Sequence, residues 1–400
     1  MGWETLKRLV LSGVIAQGTV AVTTILRLPM LIQSLGVNNF AIFSATLGAW
    51  ALVFTVGEAQ RANARQLAAS GVLLATSGRY AIKHSAPFTL GALSATLLLV
   101  AFLNPTRAVF DPWSLVLVAV AGLVYPKYAA RTGSLEGMGQ FAWYQVLVIA
   151  SQVLSFVLTL LLVPLHSIPA FTLAILIPSF VPGLYATYLN RSSRIEAQSD
   201  SASSLSRRSR LFTLISLAET LAFSLDAAIV FALVGPTGSA TFSLTQRFMV
   251  AFSVIPLILA PVLSVKNSKQ YLSPTVKRFQ ITQMLVSVAI ALALLGSSPL
   301  LFTLASGSHL EVNIQIFIFG CLNGVIGAFL SPILQAHVQD NILGFRARLA
   351  CLYALVSLSL TFTLVKLFGP SGGFMASSLS LVFYAMCLRN RSRRGGKLES

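Results

Sequence analysis

Carboxylates are the scarcest chemistry in this chain. Eleven Asp and Glu stand among 400 residues, and charged residues of both signs together make up 10% while hydrophobic residues make up 56%. A soluble domain carries about 25% charged residues, so this deficit excludes a soluble globular protein of ordinary composition. Cysteine is nearly as rare. Cys321, Cys351 and Cys387 sit inside apolar runs without metal-ligand spacing, which excludes a disulfide framework and a zinc site. No stretch reads G-x-x-x-x-G-K-[ST]; "RRGGKLES" lacks both the spacing and the final hydroxyl, so ATP hydrolysis is not expected. No cofactor motif is present either, and none is expected to bind. The alternating pattern of a membrane barrel strand is missing as well, so segments that cross a bilayer must do so as helices, which satisfy their own backbone.

What is there is apolar sequence in long blocks. Run after run exceeds the roughly 18 apolar residues needed to cross a bilayer. Spans are expected at about 9–33, 39–57, 86–103, 114–130, 141–163 and 169–189, then at about 211–234, 240–264, 280–304, 312–336, 349–367 and 372–388. The fold class expected is all-α, a polytopic integral membrane protein of about twelve helices in two parallel six-helix repeats around a central cavity. The domain reading is an N-terminal bundle at 1–189, a Ser- and Arg-rich linker at 190–210, a C-terminal bundle at 211–388 and a basic tail at 389–400.

The formal charge is +17, yet the basic residues are spread along loops rather than gathered on one polar face, so nucleic acid is not an expected partner. Twelve spans divide the connections into two alternating sets. Of the 28 Lys and Arg, four (Arg27, Lys127, Arg247 and Lys366) lie within spans or at their ends, Arg107 alone lies in one set, and all others lie in the set that contains both termini. The positive-inside rule then places both termini in the cytoplasm. The connections on the opposite side are short and hold Arg107, Asp111, His166, His309 and Glu311 as their titratable side chains. That leaves little room for a membrane-embedded polymerase or glycosyltransferase, so enzymatic activity is not expected.

A shift of 199 residues brings the halves into register. "SLGVNNFAIFSATLGAW" from Ser34 falls on "LVGPTGSATFSLTQRFM" from Leu233, matching Gly36 to Gly235, Ala41 to Ala240, Phe43 to Phe242 and Ser44 to Ser243. The same shift sets "SLEGMGQ" from Ser134 on "ILQAHVQ" from Ile333, matching Leu135 to Leu334 and Gln140 to Gln339. Repeats of six spans share one orientation, and such repeats enclose a cavity along an axis normal to the membrane.

The stretch "RLPMLIQSLGVNNFAIFSATLGAWALVFTVGEAQRANARQLA" resembles the opening two helices of polysaccharide (O-antigen type) flippases, within the multidrug/oligosaccharidyl-lipid/polysaccharide exporter superfamily. "LDAAIVFALVGPTGSATFSLTQRF" is similar to the start of that family's second half. "ILQAHVQDNILGFRARLACLYALVSLSLTFTLVKLFGPSGGFMASSLS" is similar to its tenth to twelfth helices. The resemblance implies alternating access in a bacterial cytoplasmic membrane. Its cargo would be a lipid-linked oligosaccharide on a polyprenyl pyrophosphate, its partners membrane lipids and polysaccharide assembly proteins, and H+ or Na+ a coupling ion. A cation-coupled multidrug antiporter is the competing reading within the superfamily.

Polar side chains within the spans are the candidate site. Arg27 is costly toward lipid, at about 2.5–3.5 kcal/mol on insertion scales, so it faces either a cavity or, by snorkelling, the outer surface. Thr19, Thr23 and Arg27 recur every four residues and make a polar stripe. Arg247 follows Thr245 and Gln246 in the eighth span. Guanidinium groups match phosphate oxygens in bidentate fashion, and the arrangement resembles the arginines in the cavity helices of lipid II flippases of this superfamily. Arg27 and Arg247, with Thr23 of the stripe, are therefore the candidates for cargo binding; Asn323 either hydrogen-bonds sugar or binds a neighbouring helix. Glu219 and Asp226 lie well inside the seventh span, seven residues apart, and either couple transport to an ion or form a structural ion pair. Shifting Arg27 by 199 lands on Asp226, so opposite charges occupy equivalent places in the two halves, and a structural pair stands level with ion coupling. Glu58 reads as an interfacial charge, and Gly320 with Gly324 as a small-residue packing pair.

Overall fold

The computed structural model describes residues 3–69, 77–103, 110–189, 202–253, 274–307, 310, 313–336 and 343–395. Among them the secondary structure is helical throughout. The chain runs α1 (Trp3–Ala69), α2 (Ser77–Leu103), α3 (Pro112–Gly137), α4 (Phe141–Leu162), α5 (Ile168–Ser179), α6 (Val181–Leu189), α7 (Ala202–Ser224), α8 (Asp226–Val234), α9 (Pro236–Phe248), a 3-10 turn (Met249–Ser253), α10 (Pro274–Ser306), α11 (Ile314–Ala336), α12 (Leu343–Phe368) and α13 (Ser371–Gly395). Nine helices among the described residues are long and apolar enough to cross a membrane. One of them, Gly13–Arg65, holds two expected spans. The twelve expected spans fall on helical segments, the sixth divided between α5 and α6, the seventh between α7 and α8 and the eighth between α9 and the 3-10 turn. The end of the eighth, at 254–264, and the first residue of the tenth lie outside the described residues, as do most of the expected linker (190–201) and the last of the tail (396–400). The remainder of the linker, from Ala202, is already helix α7.

The helices expose apolar side chains and bury hydroxyls, the reverse of a soluble protein. Leu98, Leu161, Leu285 and Leu355 are each at least 64% exposed, while Thr46, Thr245, Ser357, Thr361 and Ser380 are at 0%. Outward leucines match lipid, and inward small polar residues let helices approach and hydrogen-bond. Ser380 on α13 donates to Ser357 Oγ on α12 at 3.1 Å.

The 199-residue repeat extends to the backbone. The turn between the two arms of α1 is made at Gly36 (φ 72), and the turn between α8 and α9 at Gly235 (φ 103). Only glycine takes these angles without strain. Eight residues past each turn a buried serine follows, Ser44 and Ser243, and two further on a threonine donates back to the helix, Thr46 to Ile42 and Thr245 to Thr241, both at 3.0 Å. Phe43 meets Phe171 at the start of the sixth span, and Phe242 meets Phe374 at the start of the twelfth.

Two compact units result, one made of Met1–Pro29 with Ile229–Ser400, the other of Met30–Ala228. The boundaries at 29 and 228 are themselves 199 apart, so each unit takes in the leading helix of the other sequence half. In the first unit α10 packs on α11, α11 on α9 and α13, and α12 on α13. In the second α2 packs on α3 and α7, α3 on α5 and α6, and α4 on α5. There α1 and α7 also share a polar seam: Thr55 with Thr220 at 3.0 Å, and Gln60 with Thr213 and Ser209 at 2.9 Å each.

Candidate functional site

The first unit gathers the residues expected to bind cargo. Along the first arm of α1, Thr23 donates to the Thr19 carbonyl at 2.7 Å, and Arg27 Nε donates to the Thr23 carbonyl at 3.1 Å. Thr23 and Arg27 are 8% and 9% exposed, while Val22 and Leu26 beside them are 55% and 51% exposed. The stripe is therefore the inward face of this arm. Arg27 reaches back toward the start of its helix, not toward the end at Gly36. Arg247 lies in the last turn of α9, where the helix dipole favours a cation. Its positive charge acts on the Arg27 guanidinium. Two segments some 220 residues apart in sequence thus bring two cations within electrostatic reach in one unit.

Asn323 stands on α11 and donates through Nδ2 to Ser378 Oγ on α13 at 3.1 Å. In this structure it ties two helices of the unit together. Gly320 and Gly324, on the same helix, abut Thr245 of α9 and Phe252 of the 3-10 turn, which is the packing role expected of them.

Glu219 and Asp226 belong to the second unit. The expectation that they share a face of one helix gives way to a break: α7 ends at Ser224, Leu225 interrupts, and Asp226 opens α8. Asp226 is 2% exposed and occupies a helix first turn, where the dipole favours a carboxylate. Glu219 is half-buried.

Sequence reasoning missed a second polar cluster. Arg61 donates through Nε to Glu136 at 2.6 Å and through a terminal nitrogen to Glu58 at 2.6 Å, and Arg65 reaches the other oxygen of Glu136 at 3.4 Å. Tyr125 donates its hydroxyl to Glu58 at 2.7 Å. The Arg61 guanidinium also lies 4.3 Å from the centre of the Tyr144 ring, a cation–π contact. Glu136 has no exposed side-chain surface. Glu58, taken from sequence as an interfacial charge, is one end of this chain of ion pairs. The helices come this close because Gly133 lies against the Arg61 backbone and Gly57 against the Tyr125 ring. The cluster borders a cavity of about 150 Å³ between α1, α3, α4, α5 and α6. One sequence signal marks it: under the 199-residue shift Glu58, Arg61, Tyr125, Glu136 and Tyr144 fall on Leu257, Ala260, Gly324, Gln335 and Leu343. The repeat that keeps the turns and the phenylalanines discards every member of this group.

The embedded charge is divided unevenly. Glu58, Glu136, Glu219 and Asp226 all belong to the second unit, beside Arg61, Arg65, Lys127, Arg131 and Arg210, whereas among the described residues the spanning helices of the first carry Arg27, Arg346, Arg348, Lys366 and Arg389 and no carboxylate.

No family model and no curated protein matches the chain. Solved structures do. A MATE transporter in complex with MaL6 superposes with a TM-score of 0.65 over 98% of this chain and 97% of its own, at 14% identity. An inward-facing multidrug resistance MATE family transporter of the MOP superfamily gives 0.60 over 97% and 100%, at 15% identity. A MOP superfamily transporter from Pyrococcus furiosus, described by the reverse polarity of its binding pocket, gives 0.57 over 97% and 95%, at 13% identity. An outward-facing form of a multidrug resistance MATE transporter is matched as well, at 0.58. What these likenesses establish is architecture: over nearly its whole length this is a polytopic membrane protein with the MATE-like transporter fold.

Proposed function

We propose that the chain is a secondary transporter that moves a lipid-linked oligosaccharide, carried on a polyprenyl pyrophosphate, from the inner to the outer leaflet by alternating access. The observation that carries the cargo reading is that Arg27, buried on the inward face of its helix, shares a unit with Arg247, whose charge acts on it. An anion with several oxygens can take charge-assisted hydrogen bonds from two guanidiniums at once. A pyrophosphate offers such an anion, with oxygens spaced for the guanidinium fork. Inward- and outward-facing relatives in fold support alternation, and the reversed pocket polarity named for the Pyrococcus furiosus protein, with the different function it suggests there, is a precedent for departure from the multidrug role within this fold.

Leaflet transfer of a labelled polyprenyl-pyrophosphate saccharide in proteoliposomes tests this. With variants at matched protein levels, Arg27→Ala and Arg247→Ala each weaken transfer by about ten- to a hundredfold, the scale of one charge-assisted pair, and the Lys variants fall in between. Full transfer by both Ala variants would remove these residues from the mechanism. A second reading, a cation-coupled multidrug antiporter, is favoured by the number of multidrug MATE structures that share the fold. It requires drug-dependent ion flux in the same vesicles, with no glycolipid transfer.

The same proposal sets both termini in the cytoplasm, on the distribution of Lys and Arg. Asn38→Cys and Thr237→Cys then react with an impermeant maleimide added to intact cells, and Ser201→Cys does not. Labelling of position 201 from outside reverses the orientation.

A further inference from the structure

The cavity beside the Arg61 cluster belongs to neither of the sites above. It lies wholly within the second unit, and its walls combine four aromatic side chains with hydrogen-bonding groups: Phe54, Tyr125, Tyr128 and Tyr144 with Glu58, Arg61, Thr132, Ser151, Gln152 and Ser179. Its volume of about 150 Å³ equals roughly five water molecules at their liquid share, the size of one small polar ring rather than a drug-sized ligand.

The charges next to the cavity cancel. Two guanidiniums, Arg61 and Arg65, meet two carboxylates, Glu58 and Glu136. The local field therefore selects neither an anion nor a cation. What the walls offer instead is hydrogen-bonding capacity and flat apolar faces. Thr132, Ser151 and Ser179 donate back to their own helices and so turn acceptor oxygens toward a ligand, Gln152 supplies an amide, and Glu58 keeps 31% of its side chain exposed. The backbone and Cβ of Tyr128 stand against Gly183, in the space a side chain there would fill, so that α3 and α6 meet closely beside the cavity. A ligand with hydroxyls around its edge and C–H groups on its faces satisfies both kinds of wall at once. An anion would meet Glu58, and an organic cation would compete with Arg61 for the Tyr144 face and the carboxylates.

The repeat sharpens the argument. Tyr128 and Gln152, besides the cluster itself, fall on Gly327 and Cys351, while Thr132 and Ser179 fall on Ser331 and Ser378, so the second half keeps two hydroxyls but none of the charged, tyrosine or amide groups of this cavity. A feature needed only to hold a six-helix bundle together would be expected in both halves.

We propose that this cavity is a binding site for a single neutral sugar ring, separate from the arginine pair in the other unit. The inference stands on the cavity's own chemistry and holds whether or not the cargo is lipid-linked.

The test uses the full chain in nanodiscs of phosphatidylethanolamine and phosphatidylglycerol, free of glycoside detergent, with saturation-transfer NMR and calorimetry. The probes are free galactose, glucose and N-acetylglucosamine, with choline and inorganic pyrophosphate as charged counterparts. At least one sugar binds saturably, and Gln152→Leu and Thr132→Val, on different helices, each weaken it by tenfold or more while melting like the parent. Arg27→Ala leaves sugar binding unchanged even where it abolishes glycolipid transfer, which separates this inference from the cargo reading. No saturable sugar binding by the folded protein overturns the proposal. So does binding of choline without sugar, or sugar binding that both variants leave intact.

Discussion

Glu136→Ala removes about 3–5 kcal/mol of stability, measured as the shift in reversible unfolding of the purified protein in bicelles. Arg61 and Arg65 both end on this carboxylate, which has no exposed surface. Taking away one partner of a buried ion pair leaves the other charge desolvated and uncompensated, and that penalty, rather than the attraction lost, sets the scale. Arg61 retains Glu58 at 2.6 Å and the Tyr144 ring, so the fold survives in weakened form. Glu136→Gln keeps an acceptor for one guanidinium and lies between parent and Ala. An Ala variant that unfolds with the parent would mean that water reaches Arg61 freely, and the cluster would lose its standing as a buried network.

Gly133→Val is expected to be comparably damaging by a different route. A Cβ at position 133 would run into the Arg61 carbonyl, and backbone on both sides leaves neither helix an inexpensive way to move. Overpacking costs about 1–3 kcal/mol where side chains can shift; with main chain as the obstacle the effect belongs at the upper end or beyond, and it also pulls Arg61 away from Glu136. Gly91→Ala, on α2, is the control. Nothing lies within 4 Å of the Cβ it would add, and alanine is the better helix former by about 1 kcal/mol. Equal melting of the two variants would show that α1 and α3 are not in the close contact drawn here.

The contrast between what was legible in the sequence and what was not follows the range of the interactions. Spans announce themselves through unbroken apolar runs, and the turns at Gly36 and Gly235 through a local backbone need that repeats in both halves. The Arg61–Glu136 contact joins residues 75 apart, on helices whose approach depends on a glycine belonging to neither side chain. No window of sequence contains it. Glu136 stood in plain view inside "SLEGMGQ", but the match of its neighbours Leu135 and Gln140 to the second half drew attention to similarity, when the informative fact was the substitution by Gln335. The break at Leu225 was hidden for another reason: the run from Leu221 to Val234 stays apolar on the whole despite Ser224 and Asp226, and hydropathy does not register where one helix ends and the next begins. Arg27 was found because a cation within an apolar run is conspicuous by cost alone, and Asn323 because it is polar, though its bond to Ser378 required the fold.

The exchange of leading helices bears on how the protein is made. Residues 3–29 leave the ribosome well before the elements of their unit that begin at Ile229. At about 5–20 residues per second of synthesis, some ten to forty seconds pass before those partners exist. During that interval a helix carrying Arg27 must wait in or beside the bilayer without its final neighbours, and the first half of the chain cannot complete either unit until α7 has been made. The two halves are therefore obligate co-folders, and a nascent chain of this design depends on whatever holds an unassembled polar helix at the membrane until its counterpart arrives.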